Sequence, residues 1–345
     1  MNALYEKYAA AVAEYLARTG YKNLSPQTLA NYTRTLNKFA GYLAEQPEDD
    51  EDALAEIVER WRDEMLRDGA KPSTVKQYLT ELKIFFERTL RRSFPERLRF
   101  AYNPVDEDMM PKTPKRPYEM ILADDDVKKL FVNKAPDHFT FWPRNWCMIM
   151  LCLNEKIRNA ELLDLRLSDV DILHHVLTVR SGKGRKWREV DLTDLTEQAI
   201  SLYLDSGLRP AYLSDEDFLF GTTAAHERGA VNARSGVEPW HRGTTGWLSS
   251  VIERTVYAVT GVHDVRSHDL RHVGSRVCLN AGQSMEELQG QLGHANLATT
   301  QIYAGRVMSR RNRDSAREVL AARDAAAEQL RRKNQAEQKV IPLFA

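Results

Sequence analysis

Residues 267–305 read SHDLRHVGSRVCLNAGQSMEELQGQLGHANLATTQIYAG, and the placement of four side chains in this stretch decides how the chain is read. His268 and Arg271 are three residues apart, so on a helix they share a face. Ser267 is a good N-cap, and Gly282 is a good stop after Asn280 and Ala281. Residues 284–287 (SMEE) spell a capping box that opens a second helix, which Gly293 closes. His294 follows at once, and Tyr303 comes nine residues later. Consecutive short helices thus deliver an arginine, two histidines and a tyrosine. Arginine and histidine together suit a phosphate, and a phenol nearby is a candidate nucleophile.

The 345 residues predict about two domains. A hydrophobic content of 43% with 28% charged residues suits a soluble globular chain. The formal net charge is +0, so any nucleic-acid surface must come from local patches. Cys147, Cys152 and Cys278 form no CxxC pair, and no Cys/His group has zinc spacing. The spacing therefore predicts no metal, and the thiols read as buried residues of a reducing cytoplasm. Glu6, Lys7 and Glu14 interrupt the apolar N-terminus, which reads as an amphipathic helix rather than a signal peptide. The longest apolar run, residues 146–153, is too short for a membrane span.

The first 110 residues show only helical periodicity. A helix is expected over 3–18. Ser25 and Pro26 start another, with Leu29, Tyr32, Leu36, Phe39 and Leu43 on its apolar face. A third covers 53–68, and a fourth starts at Pro72 and Ser73 and carries Val75, Tyr78, Leu82 and Phe85. From Lys71 to Arg99 there are eight basic residues against Glu81, Glu87 and Glu96, a local charge of +5. A solvated face explains that patch as well as a DNA contact does. Pro104, Pro111, Pro114 and Pro117 then stiffen an extended linker.

The second domain is expected to mix helices with a small sheet. A helix starts near Asp124, a buried one covers 143–153, and others cover 193–205 and 246–259. Residues 176–180 and 186–190 alternate as two strands around Gly182 and Gly184. That hairpin, Arg180 to Arg188, carries five basic residues and no acid. Residues 222–245 read as a polar loop, and a charged helix over about 309–334 precedes a short apolar tail. The fold class expected is mainly α with a small antiparallel β-sheet, an N-terminal helical bundle preceding a mixed α+β domain. Its parts are 1–110 (helical), 111–118 (linker), 119–308 (catalytic) and 309–345 (C-terminal helix and tail).

Taken singly, Arg158, His268, His294 and Tyr303 have ordinary readings as an ion-pair, helix-start, capping and packing residue. Their order and spacing do not. Arg158 followed by Ala160, Glu161 and Leu162, Lys183 between two glycines, His268-x-x-Arg271-His272, Leu292-Gly293-His294, and Tyr303 after Thr299 and Thr300 together resemble the tyrosine recombinase (phage integrase) family. The resemblance spans about 25–308. One departure lies just before Arg158, where Asn154 to Ile157 (NEKI) stand in place of the family's Thr-Gly-Leu type of segment. The 222–245 loop is also longer than in minimal members.

The resemblance implies site-specific DNA recombination through a 3′-phosphotyrosine intermediate. Arg158 and Arg271 would grip the non-bridging phosphate oxygens, with His268 and His294 adding donors. Tyr303, with an ordinary pKa of ~10, would be activated by the nearby positive charge and by His268. Lys183 would protonate the leaving 5′ oxygen, and Glu161 would hold Arg158 or His268 in place. Because the phosphotyrosine conserves the bond, no cofactor, metal or ATP is expected. The implied partners are double-stranded DNA with specific sites, a homotetramer on paired sites and accessory DNA-bending proteins, in the cytoplasm and without a membrane. Lys76, Arg185 and Lys186 are candidate DNA contacts, and the C-terminal helix and tail would dock either in cis or on a neighbouring subunit. Two other readings use the same residues: a type IB topoisomerase-like relaxing enzyme and a non-catalytic DNA-binding protein. The chain is expected from its sequence to start directly at the core-binding helices.

Overall fold

The computed structural model describes residues 3–20, 26–113, 121–137, 139–180, 187–222, 240–293 and 310–340. The chain divides into two compact units, Met1–Lys115 and Arg116–Ala345. Among the described residues no helix is long and apolar enough to cross a membrane.

The first unit is built from α1 (Ala3–Gly20), α2 (Pro26–Ala44), α3 (Leu54–Arg67) and α4 (Pro72–Thr89). Their apolar stripes meet in an aromatic core. Tyr8 packs edge-on against Phe39 and Phe85, each at 5.3 Å, and its hydroxyl donates to the Leu36 carbonyl at 3.3 Å. The stripe of α4 is broader than its periodicity suggests, because Leu79, Glu81 and Phe86 are buried beside Val75, Leu82 and Phe85. Glu81 turns inward and accepts from the Thr35 hydroxyl and from the Gln77 amide at 2.9 Å. One of the three acids that offset the basic stretch 71–99 is therefore withdrawn from the surface, while Lys76 is exposed. The exposed side of α4 is more basic than residue counting indicates.

The second unit is organised on α6 (Trp142–Leu153), nearly all of which is buried. Around it lie α5 (Asp124–Phe131), α7 (Asn159–Asp164), α8 (Asp194–Asp205), α9 (Thr245–Thr260), α10 (Ser267–Ala281) and α11 (Met285–Leu292). Helix α10 approaches α6 closely at Gly274, where a Cβ would sit 1.8 Å from the Leu153 carbonyl oxygen. Any side chain there would drive apart the two helices that carry Arg271 and lead into Arg158.

The antiparallel sheet has the order β1 (Val170–Asp171), β2 (Val176–Val179), β3 (Arg188–Asp191), with Leu177 opposite Val190. The two-residue β1 carries too short an alternation to be read from sequence. Gly221–Thr222 (β4) and His241–Arg242 (β5) pair across the long polar loop.

The C-terminal helix α12 (Arg310–Val340) runs past the expected end at 334 and packs on α5, α8 and α10 of its own unit. Ala316, Val319, Ala327 and Leu330 form its buried face. Lys128 pairs with Glu318 at 3.2 Å, and Arg331 with Asp194 at 2.7 Å. In this single chain the helix packs against its own unit, and residues 341–345 lie outside the described residues.

A candidate phosphate-transfer site

Arg158 is the N-cap of α7, and the carboxylate of Glu161 closes that end of the helix. Glu161 accepts from the Arg158 amide at 2.9 Å and from the Arg158 guanidinium at 2.7 Å. The i+3 spacing visible in the sequence is the reason, since a carboxylate at N3 reaches back to the cap. Strand β3 brings a second arginine to the same carboxylate, and Arg188 grips both Glu161 oxygens at 2.8 Å. Glu161 is 2% exposed. Burial raises its carboxyl pKa, but the Arg188 hydrogen bonds, the Arg158 amide and the two guanidinium charges outweigh that and lower it to about 2.

Arg271 comes from the first turns of α10. Arg266 rather than Ser267 caps this helix, because the Asp269 carboxylate accepts from the Arg266 amide at 2.9 Å. Ser267 becomes the first helical residue, and its hydroxyl donates to the Asn159 side chain. The Arg271 guanidinium is almost wholly buried and donates to the carbonyls of Lys156 and of Leu292, the latter at 2.8 Å.

Helix α11 begins with the expected Ser284–Glu287 capping box and ends at Gly293, whose φ of 58° is left-handed. A Cβ at Gly293 would also meet the Arg188 side chain at 3.1 Å. The last turn of this helix is where the site converges. Arg188 donates to the carbonyl of Gln291 at 3.2 Å, Arg271 to that of Leu292, and Arg158 to that of Gly293 at 3.3 Å. Three arginines from three elements thus hold three consecutive carbonyls at the negative end of a helix. The chain runs from this turn directly into His294.

His268 lies one turn before Arg271, and its ring stands edge-on to that of His272 at 4.4 Å. Partial burial and the charge of Arg271, with a smaller push from Arg158, lower its pKa below the ordinary histidine value, Asp269 opposing. At neutral pH it is a neutral imidazole, able to accept a proton.

The sequence-derived set is thus partly placed. Arg158, Glu161, His268 and Arg271 lie on neighbouring elements of one unit. Glu161 holds Arg158; among the described contacts it holds Arg188 rather than His268. Lys183, Arg185, Lys186, His294 and Tyr303 lie outside the described residues. Lys76 is exposed on α4 of the other unit. Of the five basic residues in the hairpin, Arg180 pairs with Asp169 and Arg188 with Glu161, so two serve the hairpin's base. Arg188 and Gln291 had no signal in the sequence, because their partners lie 27 and 135 residues away. Among the described residues no group of three or more His, Cys, Asp or Glu could hold a metal ion.

A profile described as the phage integrase family covers residues 121–310. The chain belongs to the phage integrase family. It is a tyrosine-type site-specific recombinase, and the family's N-terminal SAM-like domain matches residues 13–93. The tyrosine recombinase XerC of Oceanobacillus iheyensis is 30% identical over 313 residues, 88% of this chain and 92% of that protein. XerC of Bacillus subtilis is 25% identical over 82% of this chain and 86% of its own length. Among solved structures, the Tn1549 transposon integrase in complex with a circular intermediate DNA aligns over 93% of this chain and 99% of its own, with TM-score 0.63 and 16% identity. A lambda integrase dimer bound to a core site aligns over 88% and 98%, with TM-score 0.60 and 15% identity. These two carry the likeness of fold.

Proposed function

We propose that this recombinase cuts and rejoins double-stranded DNA at a phosphate gripped by Arg158 and Arg271, with Tyr303 as nucleophile. The observation that supports this most is the convergence of the two arginines, 113 residues apart in sequence, on the turn that leads into His294. Guanidinium groups held in fixed positions are suited to the charge that develops on the non-bridging oxygens. The Tyr303 oxygen bonds to phosphorus as the bond to the 5′ oxygen breaks. His268, neutral at pH 7, takes the phenol proton, and Lys183 gives one to the leaving 5′ oxygen. His294 adds a donor to the phosphate. Attack by a 5′-hydroxyl from a partner strand reverses the step and releases the tyrosine. In this reading Lys76, Arg185 and Lys186 contact the DNA backbone. The protein works in the cytoplasm as a homotetramer on paired sites, with accessory DNA-bending proteins as further partners. The C-terminal tail reaches a neighbouring subunit, so deleting residues 335–345 should impair pairing of sites more than binding to one.

The test starts from fragmented host DNA. Covalent protein–DNA adducts are trapped and sequenced to give the site, and a nicked duplex of that site is then cleaved by wild type and Tyr303→Phe. Wild type should accumulate an adduct and the variant none, and wild type should exchange strands between two intact sites. An adduct in the variant overturns the nucleophile assignment. Adducts without exchange favour relaxation of DNA over recombination. The single-turnover rate should be flat near neutral pH and fall as pH drops through a value below ~6.5, the ordinary histidine pKa, because protonated His268 cannot accept the phenol proton.

A further inference from the structure

We infer that Lys156 is a positioning residue of this recombinase, tying the turn that delivers Arg158 to Gln291 and so fixing where both arginines stand relative to the segment entering His294. The inference rests on the reading of Arg158 and Arg271 as phosphate ligands.

Two features of Lys156 work against the fold taken alone. Its backbone is left-handed, with φ 58°, a conformation that costs a residue with a Cβ about 1 kcal/mol or more and a glycine almost nothing. Its side chain is 3% exposed, although an ammonium is seldom buried without a partner. Lys156 makes no ion pair with a carboxylate among the described residues. The adjacent Glu155 carboxylate accepts from the Thr193 amide and hydroxyl and from the Thr196 hydroxyl, and feels the Lys156 charge only as a minor pull. Glycine would satisfy the backbone and leave nothing buried, so stability alone does not call for a lysine here.

What the lysine provides is a link across the site. Its ammonium donates to the Asn154 carbonyl at 2.8 Å, on its own turn, and to the Gln291 side-chain oxygen at 3.1 Å, on the last turn of α11. Its own carbonyl accepts from Arg271. Gln291 accepts Arg188 at its backbone, Arg188 grips Glu161, Glu161 holds Arg158, and Arg158 is two residues from Lys156. These contacts close into a ring through Arg158 and Arg188, and Arg271 braces it from the Lys156 carbonyl to that of Leu292. Among the described residues, three side chains join the turn 154–158 to the end of α11: Lys156 through Gln291, Arg271 through the Lys156 and Leu292 carbonyls, and Arg158 through the Gly293 carbonyl. Of these Lys156 is the one that is not itself read as a phosphate ligand. Removing the ammonium breaks its link and the ring without deleting a contact of Arg158, Arg188 or Arg271.

The experiment uses the full chain and a nicked duplex of the trapped site, with single-turnover adduct formation at saturating DNA as readout. Lys156→Met keeps the packed stem and removes the ammonium, while Lys156→Gly also relieves the backbone. Both should cleave at least about tenfold more slowly while binding the duplex within about threefold of wild type, because a looser site mispositions the phosphate without altering the contact area. The glycine variant should melt no lower than the methionine variant. Gln291→Leu should show the same slowing, and the Lys156→Met/Gln291→Leu double variant should be no slower than either single one. A stable Lys156→Gly that cleaves at the wild-type rate overturns the inference, as does a double variant whose losses multiply. If the glycine variant melts early, the methionine variant, measured below its own melting temperature, decides by the same rate. Arg158→Lys runs in parallel. Slow cleavage by Arg158→Lys with wild-type cleavage by both Lys156 variants removes this inference alone, whereas wild-type cleavage by Arg158→Lys removes the reading of the site beneath it.

Discussion

Glu155 and Glu161 lie on either side of Arg158, and each is 2% exposed, yet they titrate in opposite directions. Burial pushes Glu155 up to about 7, against the pull of the Thr193 and Thr196 hydrogen bonds and the Lys156 charge. Glu161 feels burial too, but the Arg188 and Arg158 contacts bring it to about 2. Low exposure alone therefore does not set a carboxyl's charge: Glu155 lies deeper and meets neutral hydroxyls, whereas Glu161 meets two guanidinium groups. For the site this means that Arg158 and Arg188 share one fixed anion, Glu161, while Arg271 and Lys156 donate to uncharged oxygens. Glu155 adds only part of a charge at neutral pH. The surplus is positive, as a phosphodiester requires.

Glu161→Gln breaks this contrast most severely, since two arginines lose their shared carboxylate. Removing one partner of a buried pair costs about 3–5 kcal/mol, and the partly exposed Arg158 places this near the lower figure, about 3 kcal/mol. Urea unfolding at pH 7 measures it, and a loss under about 1 kcal/mol would show that the arginines find other partners. The pH dependence has a definite sign. A lowered carboxyl stabilises above its unfolded value of about 4.3 and loses that contribution as pH falls through about 2, so this acid limb should be missing in the variant.

Glu155→Gln should behave in the opposite way. A raised carboxyl favours the fold when protonated, so its contribution is complete below about 4.3 and is lost as pH rises through about 7. Relative to wild type, the glutamine variant should gain on the order of 3 kcal/mol between pH 4 and pH 8. A difference between the two proteins that does not change with pH would contradict this account of Glu155.

Thr196→Val sharpens the contrast with a smaller effect. Its hydroxyl donates to Glu155 at 2.8 Å and accepts from the Asn154 amide at 3.2 Å. Its loss should cost about 1 kcal/mol, more at pH 8 than at pH 5, because the bond to the carboxylate form is the stronger one. Paired denaturation curves at the two pH values test it, and a larger cost at pH 5 would reverse the charge assignment.

What the sequence conveyed about this region followed the range of each interaction. The capping box at Ser284, the left-handed stops at Gly282 and Gly293 and the pairing of Arg158 with Glu161 are local, and spacing alone exposes them. The start of α10 is local too, but Asp269 competes with Ser267 for the role of cap, and the carboxylate at N3 prevails. The inward turn of Glu81 needs Thr35, 46 residues away, so it was invisible beside its basic neighbours. Likewise Arg188 looked like one more hairpin cation, and Lys156 like part of a segment departing from the family pattern. Only the folded chain brings Arg188 to Glu161 and Lys156 to Gln291. Motif order was enough to recognise the chemistry, while the network that orients the arginines depends on contacts between distant segments.

In the proposed reading Arg158 and Arg271 act by neutralising charge on the phosphate they hold. Cleavage of a duplex carrying a methylphosphonate at the scissile position tests it most directly, because that group lacks the negative charge. Arg158→Ala and Arg271→Ala should each lose about 10²–10³ in adduct formation on the ordinary phosphodiester, as expected for removing a preorganised donor. On the neutral methylphosphonate both should recover much of that loss relative to wild type. Losses of equal size on the two substrates would show that the arginines do not serve the phosphate charge, and would contradict the account.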